Sequence, residues 1–261
     1  MRYGFQYVKP IEGDYKQYGK LTLGSLPIRP DGQWDDWCPP DEDQNNGFEP
    51  QSCTSNGTLT CVEILQRQEY QDTTDWSERF LANVSGTTMW GNDPQKVAET
   101  LRKKGTVHES DLPYTPDINT WAKYYDTIPY ELEVRALAKF KGTYDFGHQY
   151  VGTDPQSMMN RLQYSPLGAD VYAWRELNGK YIRNGMGSNH WICIYGYEKG
   201  KYWKCMDSYG GQTNKKKLAW DFGFTVVKEY TLHKQLVSQS LWAIAINWLR
   251  ARLGLPAMQT V

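Results

Sequence analysis

The sequence lacks the features of a membrane protein, a general nucleic-acid binder or a signal-bearing secreted domain. None of its apolar runs reaches the roughly 18–20 residues that a bilayer-spanning helix needs. Its 29 basic and 30 acidic residues leave a net charge of −1, without the positive surplus of a nucleic-acid binder. Residues 1–13 carry no apolar stretch or cleavage site typical of a signal peptide. We therefore expect no membrane span, no nucleic-acid partner and no export by a signal peptide.

Cysteine and histidine are also scarce. The chain has five cysteines, an odd number, and no two have the Cys-x-x-Cys spacing of a zinc site. Without a secretory signal, reduced thiols are the expected state. No metal or other cofactor is implied, so a thiol that does chemistry would have to use side chains alone.

The remaining sequence is that of a folded protein with helices first and strands later. The 261 residues, 39% of them hydrophobic, suit one large domain or two small ones. Residues 38–50 contain three prolines and a cluster of Asp and Asn, which predicts an irregular loop. Apolar residues at 59, 62 and 65 then predict a helix with Ser52 as its N-cap and Cys53 in its first turn. Two Asp-Pro pairs open further predicted helices, at 93–104 and 154–164.

Strand patterns dominate the second half. Residues 167–177, 190–197 and 201–207 are rich in β-branched and aromatic residues, and the last two predict neighbouring strands. The three lysines at 215–217 are interpreted as a solvated loop, and residues 234–253 have the broad apolar face of a helix. Helices followed by antiparallel strands predict an α+β architecture.

Three residues could form a nucleophilic site. A helix N-terminus lowers the pKa of a thiol, so Cys53 is placed to act as a thiolate. Among the four histidines, His190 opens an apolar strand after a glycine-rich loop, a rigid mount with open access. Asp207 ends the next strand and returns close to His190, where it can orient the imidazole. Taken singly, Cys53 is more often a buried filler, His190 a structural residue and residues 207–211 a turn.

The order of these motifs resembles papain-like cysteine peptidases over roughly residues 33 to 211. The matching segments are Ser52–Gly57 with Glu63 ten residues after the cysteine, Gly91–Tyr114, Met158–Val171, Asn189–Tyr197 and Asp207–Gly210. About 137 residues separate Cys53 from His190. The loop at 31–48 is similar to that of papain-like proteins encoded by tailed bacteriophages, through Glu42, Asp43 and Gln44.

This resemblance implies a fold, a reaction and further site residues. The fold would have a helical half with the nucleophile on a central helix, an antiparallel sheet or barrel half, and a cleft between them. Gln44 and the Cys53 amide would stabilise an oxyanion. Trp90, Gly91 and Asn189 would contact substrate, although a simple turn is an equally good interpretation of Gly91.

The resemblance also suggests boundaries and a function. Residues 1–35 would be an extension, 36–125 a helical lobe, 126–230 a β lobe and 231–261 a C-terminal helix. The main hypothesis is a phage-encoded peptidase that hydrolyses peptide or isopeptide bonds in protein substrates, in the host cytoplasm or with the virion. The alternative is a catalytically residual papain-fold component of a virion or tail, docking on a partner through the C-terminal helix.

Overall fold

The computed structural model describes residues 5–6, 27–183, 185, 187–209 and 214–235. It has six α-helices in these ranges: α1 Cys53–Tyr70, α2 Glu78–Val84, α3 Pro94–Lys104, α4 Trp121–Tyr124, α5 Tyr130–Ala136 and α6 Pro155–Leu162. The strands are β1 Tyr144–Tyr150, β2 Leu167–Val171, β3 Glu176–Leu177, β4 Lys180–Tyr181, β5 His190–Glu198, β6 Tyr202–Met206, β7 Lys215–Ala219 and β8 Val227–Lys234. Short 3-10 turns lie at Asp35–Trp37 and Glu109–Asp111, and a π turn at Leu137–Lys141.

Helices α3 and α6 begin within one residue of the positions that the sequence predicts. Asp93 accepts a hydrogen bond from the amide of Gln95 and starts α3, which ends before Gly105 at φ 73°. Asp154 accepts a hydrogen bond from the amide of Ser157 and starts α6. These predictions are confirmed because an acidic N-cap, a proline at the first helical position and a glycine after the last turn act locally.

The eight strands form one sheet in the order β1-β8-β2-β5-β6-β7-β4-β3. The pairs are antiparallel, except that β4 and β7 are parallel. β5 and β6 pair as neighbours, with Cys193 opposite Met206, so the start of β5 lies beside the end of β6. This register brings His190 and Asp207 to the same end of the pair. The predicted α+β class is confirmed.

Helix α1 lies buried between this sheet and the other helices. Thirteen of its 18 residues are buried, so it has no solvent-facing stripe until its last turn. Gly57 allows it to approach β5: a methyl group there would lie 2.9 Å from Cδ1 of Trp191. The close approach brings the first turn of α1 next to the start of β5.

Several boundaries differ from those predicted. Residues 27–35 belong to the main domain rather than to an extension, because Trp34 is fully buried and its indole donates a hydrogen bond to the Leu162 carbonyl at 2.8 Å. The strand predicted at 167–177 ends at Val171. Residues 215–217 form the start of β7 instead of a loop, because they pair with β6.

The predicted C-terminal helix is corrected at its beginning. Residues 231–234 are the last part of β8, which pairs with β1 as far as Lys234. The remainder of that prediction, from residue 236 onward, lies outside the described residues. Within the described ranges, no helix combines the length and the apolar character required to cross a bilayer.

Candidate active site

Cys53 is the first residue of α1, as the sequence predicts. Ser52 occupies the N-cap position but its side chain does not cap the helix. Instead, the side-chain amide of Asn56 donates hydrogen bonds to the carbonyl and the hydroxyl of Ser52, at 3.0 and 3.1 Å. The first turn of the helix is therefore fixed by a side chain four residues further on.

His190 and Asp207 form a buried pair at the edge of β5 and β6. Nε2 of His190 donates to Oδ1 of Asp207 at 2.6 Å, and both side chains are inaccessible to solvent. Nζ of Lys216, on β7, donates to Oδ2 of Asp207 at 2.7 Å. Burial alone would raise the pKa of Asp207, but the attraction of His190 and Lys216 outweighs burial and lowers that pKa.

The Cys53 thiol lies in one buried cluster with Trp191, the residue that follows His190. Phe5, Cys53, Trp191 and Val226 form one buried cluster, and Cys53 is fully buried. The structure thus brings together the start of α1 and the start of β5, which are about 137 residues apart in sequence.

The expectation of a lowered thiol pKa is wrong for this closed arrangement. Burial raises the pKa of Cys53 well above its ordinary value, and the nearby carboxylates of Glu49 and Asp207 raise it further. The helix N-terminus is still present, but desolvation of the thiolate is the larger effect. In this arrangement the thiol keeps its proton.

Gln44 lies beside the His190–Asp207 pair, and both the oxygen and the nitrogen of its side-chain amide are hydrogen-bonded. Its Oε1 accepts a hydrogen bond from Ser208 at 2.5 Å, and its Nε2 donates to Oε1 of Glu49 at 2.8 Å. Its backbone amide also donates to the Ser208 carbonyl, at 2.8 Å. One N–H of the side-chain amide is thus used by Glu49, and the second is the one that could reach an oxyanion.

The predicted substrate contact Gly91 and its neighbour Asn92 have different backbone partners. Gly91, at φ 90°, exchanges backbone hydrogen bonds with Thr88 and so forms a turn. The next residue, Asn92, pairs with the N-terminal segment: its carbonyl accepts a hydrogen bond from the amide of Gln6 at 2.9 Å. Phe5 stacks on Trp191, with ring centroids 5.7 Å apart and planes 6° apart. The N-terminal segment Phe5–Gln6 thus lies beside Cys53.

Two other predicted contact residues have different surroundings. Trp90 is 56% exposed, on the turn that precedes Asn92. Asn189 is used within the fold, because its side-chain oxygen accepts the amide of Ala173 at 2.9 Å and its own amide donates to Val171. Trp90 is therefore accessible to a bound peptide, whereas the side-chain oxygen and the backbone amide of Asn189 are already used in hydrogen bonds within the fold.

Sequence reasoning missed three participants. Lys216 was assigned to a solvated loop, Glu49 was counted only as part of an irregular segment, and Phe5 carried no motif. Alternation of exposed and half-buried positions along 215–217 is a strand signal, but three lysines in a row obscure it. No local signal places Phe5 or Glu49 near Cys53, because both contacts depend on tertiary packing.

One group of side chains among the described residues has spacing suited to a metal ion. It consists of Glu42, Glu63 and Glu78, on the loop before Gln44, on α1 and on α2. Glu63 lies ten residues after Cys53 on α1, about 15 Å further along the helix. No two of the five cysteines are joined by a disulfide.

Comparison with solved structures defines the fold. The chain is similar to digestive procathepsin L 3 of the Tenebrio molitor larval midgut, with a TM-score of 0.60 and 18% identity over 83% of this chain and 73% of that one. It is also similar to the bromelain protease of Ananas comosus in complex with the E64 inhibitor, with a TM-score of 0.58 and 17% identity over 77% and 98% of the two chains. A clostridial cysteine protease, Cwp84, gives a TM-score of 0.61 and 14% identity over 76% and 56%.

These three proteins share the architecture of this chain. The class is α+β, and within it the chain has the papain-like fold, as the order of its motifs predicts. No protein-family model matches the sequence, and no curated protein matches it.

Proposed function

We propose that the protein is a cysteine peptidase that hydrolyses peptide or isopeptide bonds in protein substrates. The observation that carries the proposal is the buried His190–Asp207 hydrogen bond of 2.6 Å beside the first turn of a central helix that begins with Cys53. A thiol, an imidazole and an orienting carboxylate are the groups that this chemistry needs.

The reaction follows from the positions of these groups. Since Nε2 of His190 is bound to Asp207, Nδ1 is the nitrogen that takes the proton of the Cys53 thiol. The sulfur attacks the substrate carbonyl carbon, and Gln44 with the Cys53 amide stabilises the oxyanion. His190 then protonates the leaving amine, and water hydrolyses the thioester to free the thiol. Loss of one oxyanion donor typically costs about 10²–10³ in rate.

Access to substrate requires that the site open. Cys53 and His190 are both fully buried, and Phe5 belongs to the cluster around the thiol. Departure of Phe5 would expose the thiol and remove much of the burial that keeps its pKa high. The Asn92 backbone, released from Gln6, would then be free to pair with an extended peptide.

A specific observation favours a second candidate function. Complete burial of the thiol also fits a papain-fold component of a virion or tail whose triad no longer works. The likeness of residues 31–48 to phage-encoded proteins supports a phage origin for either function. The protein would then act in the host cytoplasm or in the particle. It would bind a partner through its C-terminal residues. Protein mass spectrometry of purified particles tests the virion assignment.

Labelling by E64, the inhibitor bound in the bromelain structure, separates the two functions. We expect a single adduct on Cys53 by mass spectrometry at neutral pH, absent in Cys53→Ala and in His190→Ala. Cys38 is the one cysteine that is not fully buried, so Cys38→Ser is the control for non-specific alkylation and should label like the wild type. If neither the wild type nor Phe5→Ala is labelled at Cys53, the peptidase proposal is wrong. A virion or tail component whose triad no longer works is then favoured.

A further inference from the structure

A second polar site lies between the loop that carries Gln44 and the start of α2. A cavity of about 160 Å³ there is lined by the side chains of Glu42, Asp75, Glu78 and Glu109, among others. Asp75 is solvent-exposed, so the cavity reaches the surface at that residue. Four carboxyl groups around one small cavity form a set of oxygen ligands of the kind that hard cations prefer.

Three carboxylates come close enough to share one ion. One oxygen from each of Glu42, Glu63 and Glu78 lies within 4.8 Å of the other two. Oxygens on opposite sides of a calcium ion are about 4.6–5.2 Å apart, against about 4.0–4.2 Å for magnesium. Three oxygens this close can bind one cation, and we choose calcium because it accepts oxygen ligands in irregular geometry whereas magnesium demands a near-ideal octahedron.

An unpartnered oxygen points to a missing ligand. Glu78 is only 9% exposed, and its buried Oε1 has no hydrogen-bond partner. Oε2 of Glu109, across the same cavity, is also buried and without a partner. By contrast, Oε1 of Glu63 is held in place by the amide of Trp76 at 3.0 Å. Buried carboxylate oxygens are normally paired or bound to a metal.

Two arginines act on this cluster. Arg67 and Arg79 are the cations that act on it, and the guanidinium of Arg79 donates instead to the backbone carbonyls of Pro113, Lys123 and Tyr124. A bound cation would offset the cost of burying carboxylates this close together.

We propose that Glu42, Glu63 and Glu78 bind a calcium ion, with Glu109 as a further ligand from the opposite wall of the cavity. The ion would link three parts of the chain: the loop before Gln44, helix α1 and the first residue of α2. Glu42 is two residues from Gln44, and Glu63 is on the helix that begins with Cys53. Calcium would therefore fix the Gln44 loop to the helix of the thiol.

Binding is measured on the full chain after removal of divalent ions with a chelator. Isothermal titration calorimetry with calcium chloride should give a saturable transition with one ion per chain. At a free calcium concentration of 100 times Kd, the melting temperature should rise by about 5–10 °C. These readouts do not depend on peptidase activity.

Variants distinguish this site from weak surface binding. Glu78→Gln should weaken calcium affinity at least tenfold and remove the rise in melting temperature, and Glu42→Gln should do the same if Glu78→Gln does not fold. The matched control is Glu69→Gln on α1, a partly buried glutamate outside the cavity, which should bind like the wild type. The proposal is wrong if the wild type gives no calcium-dependent heat or melting shift at millimolar calcium, or if folded Glu78→Gln and Glu42→Gln bind calcium as tightly as the wild type.

Discussion

At the residue scale, Asp207 has the most constrained surroundings of the proposed triad. Each of its two oxygens accepts one short hydrogen bond, from His190 at 2.6 Å and from Lys216 at 2.7 Å. A carboxylate held at both oxygens cannot rotate, so the imidazole that it holds has one orientation. Lys216 is therefore a positioning residue that acts on His190 through Asp207.

Replacing Lys216 should slow the reaction of the thiol without removing any proposed catalytic group. In Lys216→Gln the charge-assisted hydrogen bond to Asp207 is lost, and we expect the rate of E64 labelling at Cys53 to fall about tenfold, equivalent to about 1.4 kcal/mol. The measurement is the second-order labelling rate as a function of pH. Lys216→Arg, which keeps the charge, should recover part of the rate.

Lys217→Gln is the matched control, because Lys217 is the adjacent residue of β7 and is exposed. It should label at the wild-type rate. Equal rates for Lys216→Gln and the wild type, over the whole pH range, would show that Asp207 orients His190 without the lysine.

At the element scale, the helices and strands that could be predicted are those that depend on interactions between residues close together in sequence. The Asp-Pro openings of α3 and α6 were predicted because the cap, the proline and the first turn are all local. The strand at Lys215–Ala219 was not, since its pairing with β6 is what makes it a strand. At Gly91 a turn and a substrate contact were equally good interpretations of the sequence, because the hydrogen bonds between Gly91 and Thr88 depend on how the chain folds back.

The N-terminal segment Phe5–Gln6 should limit access to Cys53. Phe5 is 7% exposed and stacks on Trp191, so its removal uncovers the cluster that buries the thiol. We expect Phe5→Ala to raise the E64 labelling rate at Cys53 at least fivefold at neutral pH. The reason is that both exposure and a lower thiol pKa favour the reactive thiolate.

Gln6→Ala provides the control for this prediction. That variant removes the side-chain hydrogen bond from Gln6 to Thr88, at 3.2 Å, but keeps the backbone bond to Asn92 and the ring of Phe5. Its labelling rate should stay within twofold of the wild type. If Phe5→Ala reacts no faster than Gln6→Ala, another part of the chain restricts access to the thiol.

At the scale of the whole molecule, the order of motifs along the chain was enough to predict the papain-like fold. The same order predicted that Cys53, His190 and Asp207 would lie at one place, since α1 and the β5–β6 pair are fixed parts of that fold. It did not predict the packing of Phe5 over the thiol or the nearby charge of Glu49, because both residues belong to irregular segments. What the sequence leaves open is thus the state of the thiol and the residues that surround it.

The distance between thiol and imidazole depends on how α1 packs against β5. Gly57 is the contact point, where an added methyl group would lie 2.9 Å from Cδ1 of Trp191 and 3.2 Å from the backbone of Ile192. Glycine inside a helix normally costs about 1 kcal/mol relative to alanine, so Gly57→Ala would stabilise an isolated helix. In this protein we expect the opposite sign, a loss of about 1–3 kcal/mol in the free energy of unfolding, because the contact with β5 is too tight.

Urea unfolding of Gly57→Ala measures the loss of stability, and E64 labelling of the folded protein measures its effect on the site. Gly187→Ala is the control, because a methyl group at Gly187 meets no atom within 4 Å, and it should leave stability unchanged within about 0.5 kcal/mol. If α1 moves away from β5 to relieve the contact, Cys53 moves away from His190, and labelling falls by more than the folded fraction does. A variant as stable and as reactive as the wild type would mean that the packing of α1 on the sheet does not set the geometry of the site.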